Sequence, residues 1–304
     1  MKLKKWLSRA LVLAMVVALM IPVPVAAKSS KGSGKLVKSV TYYDYNTSKG
    51  RFEAESKTTY TYDKKNNPIE VREDNYTGSF FGIPTGATSE ISTLKYKYKG
   101  KTPKSMTKKN AAGVVTETRK YKKGLAVSVN STSNWSATVD GVEKAGCRTE
   151  NTFYTYGKKN FISESAGGSL SVAPSGSSTA NTYDRVAYAV TLKKELPTFI
   201  LTQYTEQDGS IYKTYAKFND KGLVVEEGWI DTKTGAPTAS YVYNYTMKKG
   251  VVKTVVGYFI NPETKAPQLS GMWKFDYTKS KTTKNRYCRM INDLVRAEVN
   301  FNWY

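Results

Sequence analysis

The residues able to do chemistry in this sequence are carboxylates and lysines, because the commonest catalytic types are missing. The chain has no histidine, which removes Ser-His-Asp and Cys-His nucleophile systems, His-ligated zinc and histidine proton relays. Two cysteines, Cys147 and Cys288, are too few for a structural zinc site. No phosphate-binding Gly-rich loop and no Asp-rich calcium loop is present. No metal and no cofactor is therefore expected. Glycoside hydrolysis needs only an acid and a base or nucleophile, and Glu164, Asp184, Glu226 and Glu227 are the candidate carboxyls. Carboxylates on strand edges of a basic protein are ordinarily solvated or paired with lysines, so a carbohydrate-active hydrolase is the secondary reading.

The lysines are more informative. Lys64 and Lys65, Lys122 and Lys123, Lys158 and Lys159, Lys193 and Lys194, and Lys248 and Lys249 each fall in a tight turn, as do Lys221 and the group Lys97, Lys99 and Lys101. The whole chain carries 47 basic against 25 acidic residues, a formal net charge of +22. Such a balance attracts anionic partners over long range. Lysine is also a natural turn residue and protects sheet edges, so each pair has an ordinary reading beside the functional one.

The turns belong to a repeating unit. Between Val37 and Val71 an aromatic strand ending Tyr43, Asp44, Tyr45 leads through a polar loop to a strand carrying Tyr60 and Tyr62. The turn from Asp63 to Asn67 follows, then a strand alternating Ile69 and Val71 with Glu70 and Arg72. This period-two alternation, punctuated by Asn, Asp, Gly and Pro, predicts antiparallel hairpins. Near the C-terminus Ile230, Asp231 and Pro237 recur as Ile260, Asn261 and Pro267, an offset of 30. Tyr45 to Tyr60, Ile230 to Tyr245 and Ile260 to Phe275 are each 15 residues apart. With weaker copies around Tyr96, Tyr121, Tyr154, Val190 and Tyr215, roughly eight two-strand units fill one repeat domain. In a meander alternate turns emerge on one rim, so the lysine pairs should form a basic row, successive pairs about 10 Å apart.

The copies at Tyr60, Tyr62, Asp63 and Asn66, and at Phe218, Asn219 and Gly222, resemble the YD repeats of Rhs-type secreted and toxin-delivery proteins. That resemblance implies extracellular β-hairpin repeats, and a shell or toxin-associated role as a further alternative. YD-repeat proteins run to many more copies, and most units here lack the Asp and Gly together.

Residues 1–27 read as a secretory signal peptide: basic residues from Lys2 to Arg9, an apolar run from Ala10 to Ile21, and Ala26–Ala27 before the cut. Residues 28–36 read as a flexible lead-in, and 37–304 as the repeat domain. Phe80 and Phe81, in a Gly-rich loop between Asn75 and Ser92, either fold over the sheet end or face outward as a contact patch. Ser165 to Thr182, rich in Ser, Gly and Ala, reads as a mobile loop. Tyr287, Ile291, Leu294 and Val295 follow helical spacing, predicting one helix over about 285–298 that covers an end of the sheet, before a closing strand with Val299, Phe301 and Trp303. Cys288 lies on its buried face, so it is either a buried thiol or a disulfide partner of Cys147.

The rows opposite the aromatics carry Lys, Thr and Glu, which disfavours a membrane barrel, and no transmembrane segment is expected once the leader is cleaved. The fold expected is all-β: an antiparallel meander of repeated hairpins, a curved sheet or barrel, with one C-terminal helix. The function expected is a secreted, extracellular or cell-wall-associated binding or structural protein without catalysis. Its partner would be an anionic cell-wall polymer or acidic glycan rather than nucleic acid. Aromatic faces including Trp135 and Trp229 offer stacking surfaces for sugars.

Overall fold

The computed structural model describes residues 34–76, 79–80, 83–84, 86–139, 142–157, 161–173, 175–206 and 208–296, with backbone alone at 79–80, 83–84, 135–139, 143 and 181–184. The leader, the turn lysines Lys158 and Lys159, Phe81 and the expected closing strand lie outside the described residues.

The strands follow in order as β1 (Gly34–Asn46), β2 (Arg51–Tyr62), β3 (Pro68–Asn75), the short pair β4 (Ser79–Phe80) and β5 (Ile83–Pro84), and then β6 (Thr88–Lys99), β7 (Thr102–Lys109) and β8 (Val115–Lys122). The second half holds β9 (Leu125–Val139), β10 (Val142–Tyr156), β11 (Ile162–Val172), β12 (Ser178–Lys193), β13 (Leu196–Thr205) and β14 (Ile211–Phe218). It ends with β15 (Val224–Ile230), β16 (Pro237–Lys248), β17 (Val251–Ile260), β18 (Pro267–Thr282) and the helix α1 (Lys284–Val295). β4 and β5 pair only with each other; the other 16 strands form one antiparallel up-and-down barrel. Closure comes from β1 against β18, in a ladder running from Gly34 opposite Thr282 to Asp44 opposite Gly271. The eight expected two-strand units are thus the eight hairpins of a closed sheet.

Local chemistry explains the hairpins. In Lys123-Gly124, Lys194-Glu195 and Lys249-Gly250 both central residues have positive φ, the backbone of the type I′ turn that matches strand twist. In the turns at 63–67 and 219–223 the first residue is Asp or Asn, and its side-chain oxygen accepts from two backbone N–H groups two and four residues on. The Tyr-Asp and Phe-Asn pairs of the sequence are these turn starts. The offset of 30 is also geometric. Asp231 accepts from the N–H groups of Lys233 and Thr234, and Asn261 from those of Glu263 and Thr264.

All seven tight-turn hairpins carry a register shift at the same place, one step before the turn, at Tyr62, Tyr98, Tyr121, Tyr156, Leu192, Phe218 and Met247. Bulges at a barrel rim increase local twist and re-aim a side chain. What they aim is often a tyrosine hydroxyl at a neighbouring hairpin. Tyr62 donates to the Val37 carbonyl at 2.7 Å, while Tyr156 donates to Ala126, Tyr245 to Val224 and Tyr277 to Val252, each at 2.6 Å. In these four units the second aromatic is therefore a clamp between units.

The aromatic face is the inner face. Tyr60, Val71, Leu94, Met106, Tyr121, Ala216, Tyr243, Val255 and Phe275 all belong to the buried core. A sixteen-stranded barrel is roughly 30 Å across its backbone, too wide for inward side chains to fill. α1 fills one end. Tyr287, Cys288, Met290, Ile291, Asn292 and Val295 are buried, and the helix reaches partners around the whole ring. Thr283 caps its N-terminus by accepting from Arg286 N–H, and Arg286 donates to the Asn66 carbonyl. Tyr287 accepts from Val252 N–H at 2.6 Å, and the Cys288 thiol donates to the Lys221 carbonyl. Arg289 lies over the Phe161 ring, and Asn292 bonds both Gly222 O and Val224 N–H. A helix outside the barrel could not touch β1, β15, β17 and the turns before β3 and β11 together. The expected cover over a sheet end is a plug across the tight-turn end. No helix among the described residues is long and apolar enough to cross a membrane.

Two expectations need correction, and one alternative that the sequence leaves open, the state of the cysteines, is decided. The lead-in ends earlier than 36, since β1 begins at Gly34 and Leu36 is fully buried; the backbone of Gly34 lies against the Tyr287 side chain, so these residues help seat the plug. Ser165 to Thr182 is not a loop but the end of β11, the five residues 173–177 and the start of β12. Pairing on both sides outweighs low strand propensity there, and the small residues are required: a Cβ on Gly167 would run into the Asn151 carbonyl. The cysteines are free. Cys147 lies on the outer face of β10, one residue from the inward Arg148, and Cys288 lies in the plug, so the barrel wall separates them.

Asn292→Ala should cost about 2 to 4 kcal/mol, since it removes two hydrogen bonds and strands a buried backbone carbonyl and N–H. Urea unfolding checks this, and an unchanged midpoint would show that the plug contributes little to stability.

Candidate binding surfaces

In an up-and-down barrel every second turn lies at the same end. The tight-turn end therefore gathers Lys64 and Lys65, Lys99 and Lys101, Lys122 and Lys123, Lys193 and Lys194, Lys221, and Lys248 and Lys249, all exposed. Successive turns sit two strands apart, so neighbouring pairs are about 10 Å from each other. That is close to a Debye length at physiological salt. Among the described residues none of these lysines forms an ion pair. Lys65 is the most constrained: its ammonium sits 3.4 Å from the centre of the Tyr98 ring and donates to the Gly100 carbonyl. Because α1 spans this end, the lysine turns frame a covered surface rather than an open pore. Lys97 differs from its neighbours, projecting from the outer wall of β6 below its turn.

The opposite end is built differently. Lys49 and Arg51 both pair with Glu53, and Arg72 pairs with Asp74. Asn46, Lys49 and Arg51 together hold the Glu53 carboxyl down to about 2. Lys233 and Lys265 are also exposed at that end, in loops begun by Asp231 and Asn261. Phe80 belongs to the small β4–β5 hairpin at this end; its side chain lies outside the described residues, as does that of Trp135.

The candidate carboxyls do not converge. Glu164 projects outward and pairs with Arg185. Glu226 also projects outward, accepting from Lys217 and Tyr215. Glu227, the next residue, points into the lumen, where it binds Arg296 and accepts from Tyr243 at 3.0 Å. Consecutive strand residues face opposite sides of a barrel wall, so Glu226 and Glu227 cannot act on one substrate. The Asp184 side chain lies outside the described residues.

Sequence reasoning missed a different pair. Glu73 on β3 stands directly opposite Glu90 on β6, both on the luminal side. Burial pushes Glu73 up to about 7, against the pull of Lys108 and with help from Glu90. Asp293 on α1 is likewise pushed up to about 7 by burial, opposed by Arg289 and Arg296. Only closure of the sheet and insertion of the helix create these environments, so no local signal in the chain marks them.

A raised folded-state pKa contributes stability that is present below the unfolded carboxylate range and lost as pH rises through the folded value. Glu73 and Asp293 thus favour the fold below about pH 4.5 and lose that contribution as pH rises through about 7. The melting temperature should fall between pH 5 and 8, and the double variant Glu73→Gln, Asp293→Asn should flatten that fall. An equal slope in the variant would place the pH response elsewhere.

Compared with known protein families and with curated proteins, the sequence matches none. Among solved structures the chain is similar to a porin-like protein from Bacteroides uniformis, at 11% identity and a TM-score of 0.47, over 81% of this chain and 98% of that one. It is also similar to a porin-like protein from Bacteroides vulgatus, at 12% identity and a TM-score of 0.45, over 81% of this chain and 100% of that one. Likenesses this weak carry no argument about function.

Proposed function

We propose that this protein is an exported, non-catalytic binding protein of the cell surface whose lysine-bearing rim docks an anionic wall polymer or acidic glycan. The observation that carries the reading is the concentration of exposed lysines in six turns at the one end that α1 covers. Six such turns, most of them two strands apart, present a row of positive charge to a flexible polyanion. Like charges spaced near the Debye length act together on a polyanion rather than singly. At the other end Lys49 and Arg51 are matched by Glu53, and the exposed lysines of the loops, Lys233 and Lys265, are single.

The outer wall supports a water-facing barrel. Arg72, Lys95, Lys120, Arg185 and Lys274 project outward and are exposed along strands β3, β6, β8, β12 and β18. A lipid-facing wall would need an unbroken apolar band at those heights. The turn starts at Asp63 and Asn219 keep the resemblance to YD repeats at the level of hairpin chemistry, and the shell-like role it implies is a lesser alternative.

Co-sedimentation of the purified protein with cell-wall material across a salt series tests the proposal. Binding should weaken by about tenfold or more between 50 and 300 mM salt, as expected when several charge contacts are screened. Replacing Lys64, Lys122, Lys193 and Lys248 by glutamine should weaken it comparably at low salt. Binding indifferent to both salt and these substitutions would overturn the assignment.

A further inference from the structure

We propose that the seam where the barrel closes is an anion-binding site, taking a multiply charged phosphate group against Lys35, Lys38, Lys279, Lys281 and Lys284. β1 begins and β18 ends at the tight-turn end, so a seam rather than a turn fills that place on the ring. Lys35 stands directly opposite Lys281 in the closing ladder, and the two side chains share one face of the sheet. Lys38 and Lys279 fall in the register shifts beside that pair, and Lys284 opens α1. All five are exposed. Bulges of this kind re-aim side chains at a barrel rim. The 63–67 turn adds to the group, because Asn66 donates to the Lys281 carbonyl at 3.3 Å and so brings Lys64 and Lys65 beside the seam.

Like charges directly opposite each other across an antiparallel pair destabilise it. Their concentration where three elements must meet points to a counter-charge from outside the chain. Two carboxylates lie beside the seam, and both are engaged. Asp276 accepts from Ser39 and Lys253, and Asp63 accepts from Tyr98 and from the N–H groups of Lys65 and Asn67. The cluster consists of lysines, which act as compact point charges, whereas planar carboxylates favour the bidentate fork of arginine. The guanidinium closest in sequence to Lys284, that of Arg286, donates to the Asn66 carbonyl instead. A phosphate group directs its oxygens at several ammonium groups at once, which suits this arrangement. Bound there, the anion touches the first strand, the last strand and the helix, so it holds closure and plug together.

Where the phosphate belongs to a polymer chain, the inference rests on the docking reading and deepens it; where it is a free oligophosphate, it stands apart from that reading. Thermal melts of the intact protein with inorganic tripolyphosphate, with poly(glycerol phosphate) and with citrate, at equal ionic strength, separate these cases. Tripolyphosphate or poly(glycerol phosphate) should raise the melting temperature by about 5 °C at a hundredfold excess over Kd, and citrate should not. Lys35→Gln with Lys281→Gln should raise the melting temperature of the free protein by about 1 to 2 °C, by relief of repulsion, yet remove most of the gain from phosphate. Lys122→Gln with Lys193→Gln, an equal loss of charge on the far side of the ring, should keep the gain from tripolyphosphate. Lys38→Gln with Lys279→Gln is a second seam variant for the case in which the first does not fold. A gain from tripolyphosphate shows that a free oligophosphate suffices, and a gain from poly(glycerol phosphate) alone assigns the site to a polymer segment. No gain from either, an equal gain from citrate, a gain that folded seam variants retain in full, or one that the far-side variant loses as fully would overturn the site. Salt-sensitive wall binding alongside such a result would leave docking on the rim standing.

Discussion

The rest of the structure depends on the ladder between β1 and β18. An open sixteen-stranded sheet exposes two rows of unpaired backbone groups and an aromatic face with no partner. Joining the first strand to the last removes both edges and turns the aromatic face inward, but it creates a lumen that side chains cannot fill. α1 answers that constraint. Its Asn292 and Tyr287 complete backbone groups of β15 and β17 that the sheet leaves open at the tight-turn end. The residues that begin β1, Leu36 and Val37, are buried with the helix. Closure and plugging are therefore one event, because the strand that closes the barrel also packs the element that fills it.

Charge segregation follows from topology rather than from a dedicated domain. An up-and-down order sends alternate turns to opposite ends, so a repeat unit with lysine in its tight turn places those turn lysines on one rim. The unit's other turn carries Asp or Asn at its start, and its cations are partly matched by carboxylates. The same alternation that buries Tyr60, Tyr243 and Phe275 puts Arg72, Lys95 and Lys274 on the outside. Two distinct ends, one carrying the lysine turns and covered by α1, the other carrying the longer loops, are consequences of a single repeated hairpin.

Much of this was legible because it is local. The Tyr-x-Tyr strands, the offset between Ile230 and Ile260, the turn lysines and the helical spacing of Tyr287, Ile291 and Val295 all depend on neighbours within one unit. What could not be read depends on contacts far apart in the chain. Gly167 reads as flexible until β10 lies against it. Cys147 and Cys288 read as a possible pair until a wall is placed between them. No local feature of the chain marks Glu73 and Asp293, which only closure and the plug desolvate. Glu226 and Glu227 were visible as adjacent carboxyls, but their separation onto two faces becomes decisive only when those faces are outside and lumen.

Hydrogen exchange of the protein with and without inorganic polyphosphate tests the central claim most directly, because it reports which end meets a polyanion. The account predicts slowed exchange in the turns at 63–67, 122–125, 193–196 and 248–251, with no change in the loops at 231–236 and 261–266. Protection confined to those long loops, or none in the lysine turns at concentrations where polyphosphate is bound, would contradict it.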